Sequence, residues 1–174
     1  MTTGQAGTGG ARSLDIDELD VIAPGAFAAA VAPLFEGARG FLGRLALARP
    51  FDSVEVMFDR ARAIAHAMPL DEQLELIDAH PRLGASPAAV SDLSRVEQST
   101  GADDDAVARE LEGLNAAYEA QFGFRYCVFV AGRSRGALLP EFRAALDGDR
   151  DAEIHRALDA VIDIARARYA TLTA

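Results

Sequence analysis

The stretch SVEVMFDRARAIAHAM, residues 53–68, decides the fold class. Its apolar positions Val54, Met57, Ala61, Ile64 and Ala65 recur at three- and four-residue spacing, which lays them along one stripe of an α-helix. Ser53 stands where an N-cap side chain accepts an otherwise orphaned N–H, and Pro69 punctuates the far end.

The same pattern extends both ways. Upstream, Pro24 suits a first helical turn, and Phe27, Val31, Leu34 and Phe35 follow at helical spacing. Gly37 and Gly40 are expected to interrupt, Phe41, Leu42 and Leu45 to form a short second helix, and Arg49-Pro50-Phe51 to break it. Downstream, Leu70 to Ala79 reads as a helix with Leu74 and Ile77 inward. It stops at His80-Pro81-Arg82-Leu83-Gly84, because a residue before proline is pushed out of the helical region. Ser94 to Gln98 is helical until Gly101, and Asp103 to Phe122 is long and strongly helical. The apolar run Tyr126 to Val130 cannot be assigned to strand or helix by periodicity. A helix is expected within residues 132–146 and a long one from Asp151 to Leu172. The expectation is an all-α, single-domain helical bundle of about seven to nine helices over residues 14–174, preceded by a flexible Gly-, Thr- and Ala-rich tail over residues 1–13.

Composition narrows the function. Half of the 174 residues are hydrophobic, enough for a sizeable core, and Trp is absent. The net charge of −10 disfavours nucleic-acid and anionic-membrane partners, and requires any site for an anionic substrate to carry its own cation. Cys127 is the single cysteine, so no intramolecular disulfide forms and a Cys-based zinc site lacks ligands. No apolar run approaches the about 20 residues that span a bilayer, and the first residues lack a signal-peptide pattern. These features suggest a soluble, cytoplasmic protein. Phosphate loops, an HExxH zinc helix and a GxSxG elbow are all missing.

Three histidines are present. His66 and His155 fall within amphipathic helices, where a surface or packing role is the plain reading. His80 sits at a rigid helix-to-loop break, a place that holds a titratable side chain at the rim of a cavity, although a histidine there can also simply complement the helix dipole. Ser94, Glu97 and Gln98 share one helical face that could bind a small polar heterocycle, but Ser94-x-x-Glu97 also reads as a capping box. Arg166 and Arg168 near the last helix end could complement the dipole, or one of them could supply the missing cation. Arg125, Arg133 and Arg135 flank the apolar run, with solvated loops as their default.

The order of these features resembles the 2-oxo-4-hydroxy-4-carboxy-5-ureidoimidazoline (OHCU) decarboxylase family. The likeness runs through Phe27, Leu34-Phe35-Glu36 and Arg49-Pro50-Phe51. It is sharpest at Ala79-His80-Pro81-Arg82-Leu83-Gly84, at Leu93-Ser94-x-x-Glu97-Gln98-x-x-Gly101, and at Asn115-x-x-Tyr118-x-x-x-Phe122-Gly123-Phe124. It closes with Glu153-x-x-x-Ala157 through Ile164-Ala165-x-x-Arg168. The resemblance implies an all-α homodimer that decarboxylates the ureidoimidazoline to (S)-allantoin and CO2 in urate breakdown. It implies His80 as the central catalytic residue, Glu97 as its acid–base partner and Arg168 as the group holding an anionic or carbonyl oxygen. Pro81, Ser94 and Gln98 would line the pocket, and Tyr126, Cys127, Val128, Phe129 and Val130 would offer backbone N–H and C=O groups. No metal or organic cofactor is implied.

The chain departs from the family at Arg39-Gly40-Phe41, where a Trp is common, at Arg125, where a Pro often stands, and at Ala145-Leu146, usually Arg-Leu. Two other readings stand beside the first. One is a non-catalytic helical interaction module, against which the intact His80, Glu97 and Arg168 weigh. The other is a related lyase for another small heterocyclic acid, which the departures keep open.

Overall fold

Several helix starts in this chain are written by capping side chains. Asp15 accepts from the N–H groups of Asp17 and Glu18 to begin α1 (Ile16–Val21), and Ser53 accepts from Val56 to begin α4 (Val54–Ala67). Ser134 caps α8 (Arg135–Ala145) and Asp149 caps α9 (Arg150–Leu172) in the same way. Between them lie α2 (Pro24–Val31), a 3₁₀ turn (Ala32–Phe35), α3 (Arg39–Leu47), α5 (Leu70–Asp78), α6 (Asp92–Gln98) and α7 (Asp105–Phe122). This is a computed structural model, which describes residues 14–85, 91–98 and 105–174. Nine α-helices and no strand are found among the described residues, so the expected all-α class holds. The expected tail over residues 1–13 lies outside the described residues. No helix of the described residues is long and apolar enough to cross a membrane.

α9 is the axle of the fold. Ile154, Ala157, Leu158, Val161, Ile162, Ile164, Ala165 and Tyr169 are all buried, so the helix presents a broad apolar face to the core, while His155, Asp159 and Asp163 lie on its outer side. It packs against α4, α5 and the 3₁₀ turn, while α3 lies on α2, α4 and α5, and α7 pairs with α8. In α4 the core stripe is carried by Met57, Ala61 and Ala65, with Val54 and Ile64 at its edge. Phe58 joins them fully buried and sets its ring edge-on to Tyr169 at 5.8 Å.

Two local expectations change. Gly40 lies inside α3 rather than interrupting it, and a Cβ there would stand 2.9 Å from the Glu75 carboxylate of α5. In α5 the core residues are Leu76 and Ile77, and Leu74 is only partly covered, because α9 and α3 meet the helix on the Leu76 side. Gly37 does break the chain, at φ +75°.

The loop after α5 is pinned from α7. Asn115 Nδ2 donates to the carbonyls of Leu83 (3.0 Å) and Leu111 (2.8 Å). Gly84 adopts φ +83°, where an added Cβ would sit 3.0 Å from Leu111, so glycine permits the loop to lie flat against α7. Arg82 pairs with Glu119 on the outside. This fixes His80, two residues beyond the end of α5, relative to the rest of the bundle.

Candidate active site

α5 delivers His80 into the interior, where it is 3% exposed. Its Nδ1 lies 3.1 Å from the Leu76 carbonyl, so that nitrogen carries the proton and donates one turn back. Nε2 is then the lone-pair nitrogen, and it is buried without a hydrogen-bond partner. Burial first, and the Arg168 charge second, lower the pKa to about 4, against smaller pulls from Leu76 and Glu36. The residue is therefore a neutral imidazole at physiological pH with a basic nitrogen held in reserve.

Arg168 of α9 is buried beside it at 2% exposure. Its Nη1 donates to the Pro33 carbonyl (3.0 Å), and its Nη2 to Glu36 Oε1 and Ser94 Oγ, both at 2.8 Å. Ser94 Oγ in turn donates to Glu36 Oε1 at 2.6 Å, and Ser91 Oγ donates to the same oxygen at 2.9 Å. Burial pushes the Glu36 carboxyl up, but the Ser94 hydroxyl, the Arg168 charge and the Ser91 hydroxyl together hold it below its ordinary range. The cation that the acidic composition demands is thus present, with the Glu36 carboxylate paired to it. Glu36 occupies the left-handed region at φ +50°, a conformation a non-glycine residue holds only when its surroundings compel it. Ser91, not Ser94, is the cap of α6: its side chain accepts from the Ser94 N–H at 3.2 Å, which frees the Ser94 hydroxyl for Glu36.

The opposite wall is the run Tyr126–Val130, which has no regular secondary structure. Tyr126 anchors it by stacking on Phe142 of α8 at 3.7 Å, with Tyr118 edge-on at 5.2 Å. Arg156 of α9 lies over the Tyr126 ring, donates to the Cys127 carbonyl at 2.9 Å and pairs with the buried Glu153, which also accepts from the Tyr118 hydroxyl. Arg133 donates to the carbonyls of Phe129 (2.7 Å) and Val130 (3.1 Å). The carbonyls of Cys127, Phe129 and Val130 each accept one of these guanidinium hydrogen bonds, which ties the segment down. Ala131 (φ +51°) and Gly132 (φ +74°) close the wall in a tight turn, with Arg133 N–H donating to the Val130 carbonyl.

His80, Pro81, Ser94, Tyr126, Cys127, Val128, Phe129, Val130 and Arg168 surround one cavity of about 260 Å³, together with Leu83, Ala131, Gly132, Ile164 and Ala167. Glu97 and Gln98 fall in α6, but their side chains lie outside the described residues. Arg166 instead turns outward over the Phe58 ring and toward Asp59. Sequence reasoning gave Glu36 no role; its only signal was its place beside Leu34-Phe35 in the family likeness. The solvated-loop default for Arg125 and Arg133 is corrected, since both reach back to main-chain carbonyls. No group of three or more His, Cys, Asp or Glu side chains suited to a metal ion occurs among the described residues.

An all-helical bundle with a neutral buried imidazole, a balanced guanidinium and an apolar-walled cavity defines a small enzyme-like binding fold. Residues 21–170 match the OHCU decarboxylase family, and the chain belongs to it. It is 27% identical over 163 residues to the 2-oxo-4-hydroxy-4-carboxy-5-ureidoimidazoline decarboxylase of Haloferax volcanii, covering 91% of this chain and 96% of that protein. It is 30% identical over 141 residues to the uric acid degradation bifunctional protein of Bacillus subtilis, covering 80% of this chain but only 28% of that larger one. The fold is shared with a crystal structure of OHCU decarboxylase in the presence of (S)-allantoin (TM-score 0.68, 23% identity, 82% of this chain and 95% of that chain). It is also shared with (S)-allantoin synthase (TM-score 0.71, 19% identity, 93% of this chain and 54% of that chain).

Proposed function

We propose that this protein decarboxylates 2-oxo-4-hydroxy-4-carboxy-5-ureidoimidazoline to (S)-allantoin and CO2, with His80, Glu97 and Arg168 as its catalytic residues. The observation that carries this reading is His80: a buried neutral imidazole, one nitrogen tied to Leu76 and the other unpartnered, lining the cavity beside Arg168.

The chemistry follows from the substrate. The bond from the ring carbon to the carboxylate breaks, CO2 leaves without the bonding pair, and the pair moves through the ring to its imine nitrogen. The resulting enol loses its hydroxyl proton while the neighbouring ring carbon gains one, and one proton is taken up overall. A neutral Nε2 suits the first task, accepting the hydroxyl proton. Glu97, by the family resemblance, hands a proton to the ring carbon from one face, which sets the handedness of the product. The apolar side chains of Val128, Val130, Leu83 and Ile164 favour dispersal of the carboxylate charge as the bond breaks. Pro81, Ser94, Gln98 and the Tyr126–Val130 segment orient the ring. The same reading takes the protein as a cytoplasmic homodimer needing no cofactor.

The test is purified protein with freshly generated urate-oxidation product, followed by circular dichroism. Rapid formation of one-handed allantoin is expected, and only the slow racemic background would overturn the assignment.

A further inference from the structure

Arg125 is not in the cavity lining, yet it contacts the residue on which the site turns. Its main-chain N–H donates to Asp78 Oδ1 at 2.8 Å. Its Nη1 donates to two main-chain carbonyls, Asp78 O at 2.8 Å and His80 O at 3.2 Å. A single residue of the α7–α8 connection therefore clasps the end of α5 at three points.

The need for such a clasp follows from carbonyl accounting. A helix leaves its last carbonyls without intrahelical donors, and Pro81, directly after His80, brings no N–H of its own. In α5 the Glu75 carbonyl is met by the Ala79 N–H, Ile77 by the His80 N–H, and Leu76 by the His80 ring. The carbonyls of Asp78 and His80 are met by Arg125. The His80 ring is thus held in a turn whose outer carbonyls depend on a side chain from elsewhere in the chain.

We propose that Arg125 is a positioning residue for His80, holding the end of α5 so that the imidazole stays on Leu76 and leaves Nε2 available to the cavity. There is an electrostatic side to the same contact. The carbonyl end of a helix favours a protonated histidine, and a fixed guanidinium on those carbonyls cancels that preference. The charged groups that act on the His80 ring are Arg168 from α9 and Glu36 after the 3₁₀ turn, while Arg125 with Asp78 stands on the carbonyls at the end of α5. Of these, Arg125 alone acts through the backbone that carries the ring.

The inference rests on the decarboxylase reading for its activity arm only. Wild type, Arg125→Met and Arg125→Lys are compared by steady-state kinetics and by ¹⁵N NMR titration of the His80 imidazole, assigned by its loss in His80→Asn. Arg125→Met is expected to lower kcat roughly 10- to 100-fold with KM within about threefold, the cost of a misplaced catalytic group. Its His80 titration and the acid limb of kcat/KM should move up in pH together, and Arg125→Lys should recover part of both. An unchanged His80 titration in Arg125→Met overturns the proposal, whether or not activity falls. If wild type makes no allantoin, the functional reading fails and the titration alone still decides the role of Arg125.

Discussion

Two histidine environments in one small bundle show how far a side chain's chemistry is set by its surroundings. His80 is buried, donates to a helix carbonyl and keeps its second nitrogen unpartnered. His66 on α4 and His155 on α9 meet at the surface instead, with Nδ1 to Nδ1 at 2.7 Å and the Asp159 carboxylate 2.9 Å from His66 Nε2. Their ring centroids are 4.9 Å apart with planes only 9° from parallel. Because the Asp159 carboxylate can only accept from His66 Nε2, a neutral His66 ring presents Nδ1 as the acceptor, with His155 Nδ1 as its donor. Arg62 closes the cluster by bridging Asp159 and Asp163. In the first environment a buried nitrogen is left unpartnered; in the second His66, His155, Asp159 and Arg62 pair with one another, and the product is a link between α4 and α9.

The contrast is sharpest at His80. Replacing it by Asn should reduce allantoin formation about 10²- to 10⁴-fold, the range of a lost proton-transfer group, with an unchanged helical circular dichroism spectrum. Activity above a tenth of wild type would remove His80 from the chemistry and erase the distinction.

Glu36→Gln probes what balances the neighbouring cation. Arg168 would be left buried with a weaker partner, and because Glu36 is itself partly exposed the cost should be roughly 2–3 kcal/mol in urea denaturation rather than the full value of a broken buried pair. A change below 1 kcal/mol would mean that Arg168 is balanced elsewhere.

Acid should discriminate as well. With its native pKa near 4 against an ordinary 6.5, His80 is neutral in both folded and unfolded chains above pH 6.5. As pH falls through that window the unfolded chain takes up the proton first, so stability is lost on the way down to about pH 4. Between pH 7 and 5 the loss from this group is about 2 kcal/mol, and it should be absent from the His80→Asn variant when both are unfolded in urea at the two pH values. Parallel slopes would show that His80 is accessible to protons in the folded state.

The smallest effect belongs to the surface pair. His155→Ala should shift stability by only about 0.2–1 kcal/mol, as exposed polar links do, and leave kcat where it was. A tenfold loss of turnover would mean that the α4–α9 link reaches the site through α9.

Much of the site was legible in the sequence because its markers are local. A histidine at a helix end before proline, an arginine near the end of the closing helix and an apolar run after Phe122-Gly123-Phe124 each announce themselves within a few residues, and all line the cavity. Glu36 did not, since its partners Ser94 and Arg168 lie 58 and 132 positions away and no short window contains them. The same holds for Arg125 and Arg156, whose receiving carbonyls lie 47 and 29 positions away, whereas Arg133 bonds Phe129 and Val130 close by in sequence. Their long side chains can face solvent or fold back, and only the position of the receiving carbonyls decides. The capping-box reading of Ser94 was a near miss of this kind: a cap is indeed present, but Ser91 supplies it and releases Ser94 for the pocket.

The sequence by itself determined the helices. Their apolar spacing, their Asp and Ser caps and their Pro and Gly stops act over one or two turns, a range the chain resolves without knowing its fold. The tertiary structure alone decided which charges are balanced, which imidazole is kept neutral and which carbonyls are spent. Those properties depend on burial and on groups brought together across more than a hundred residues, and in a water-poor interior a single such partner outweighs any local preference.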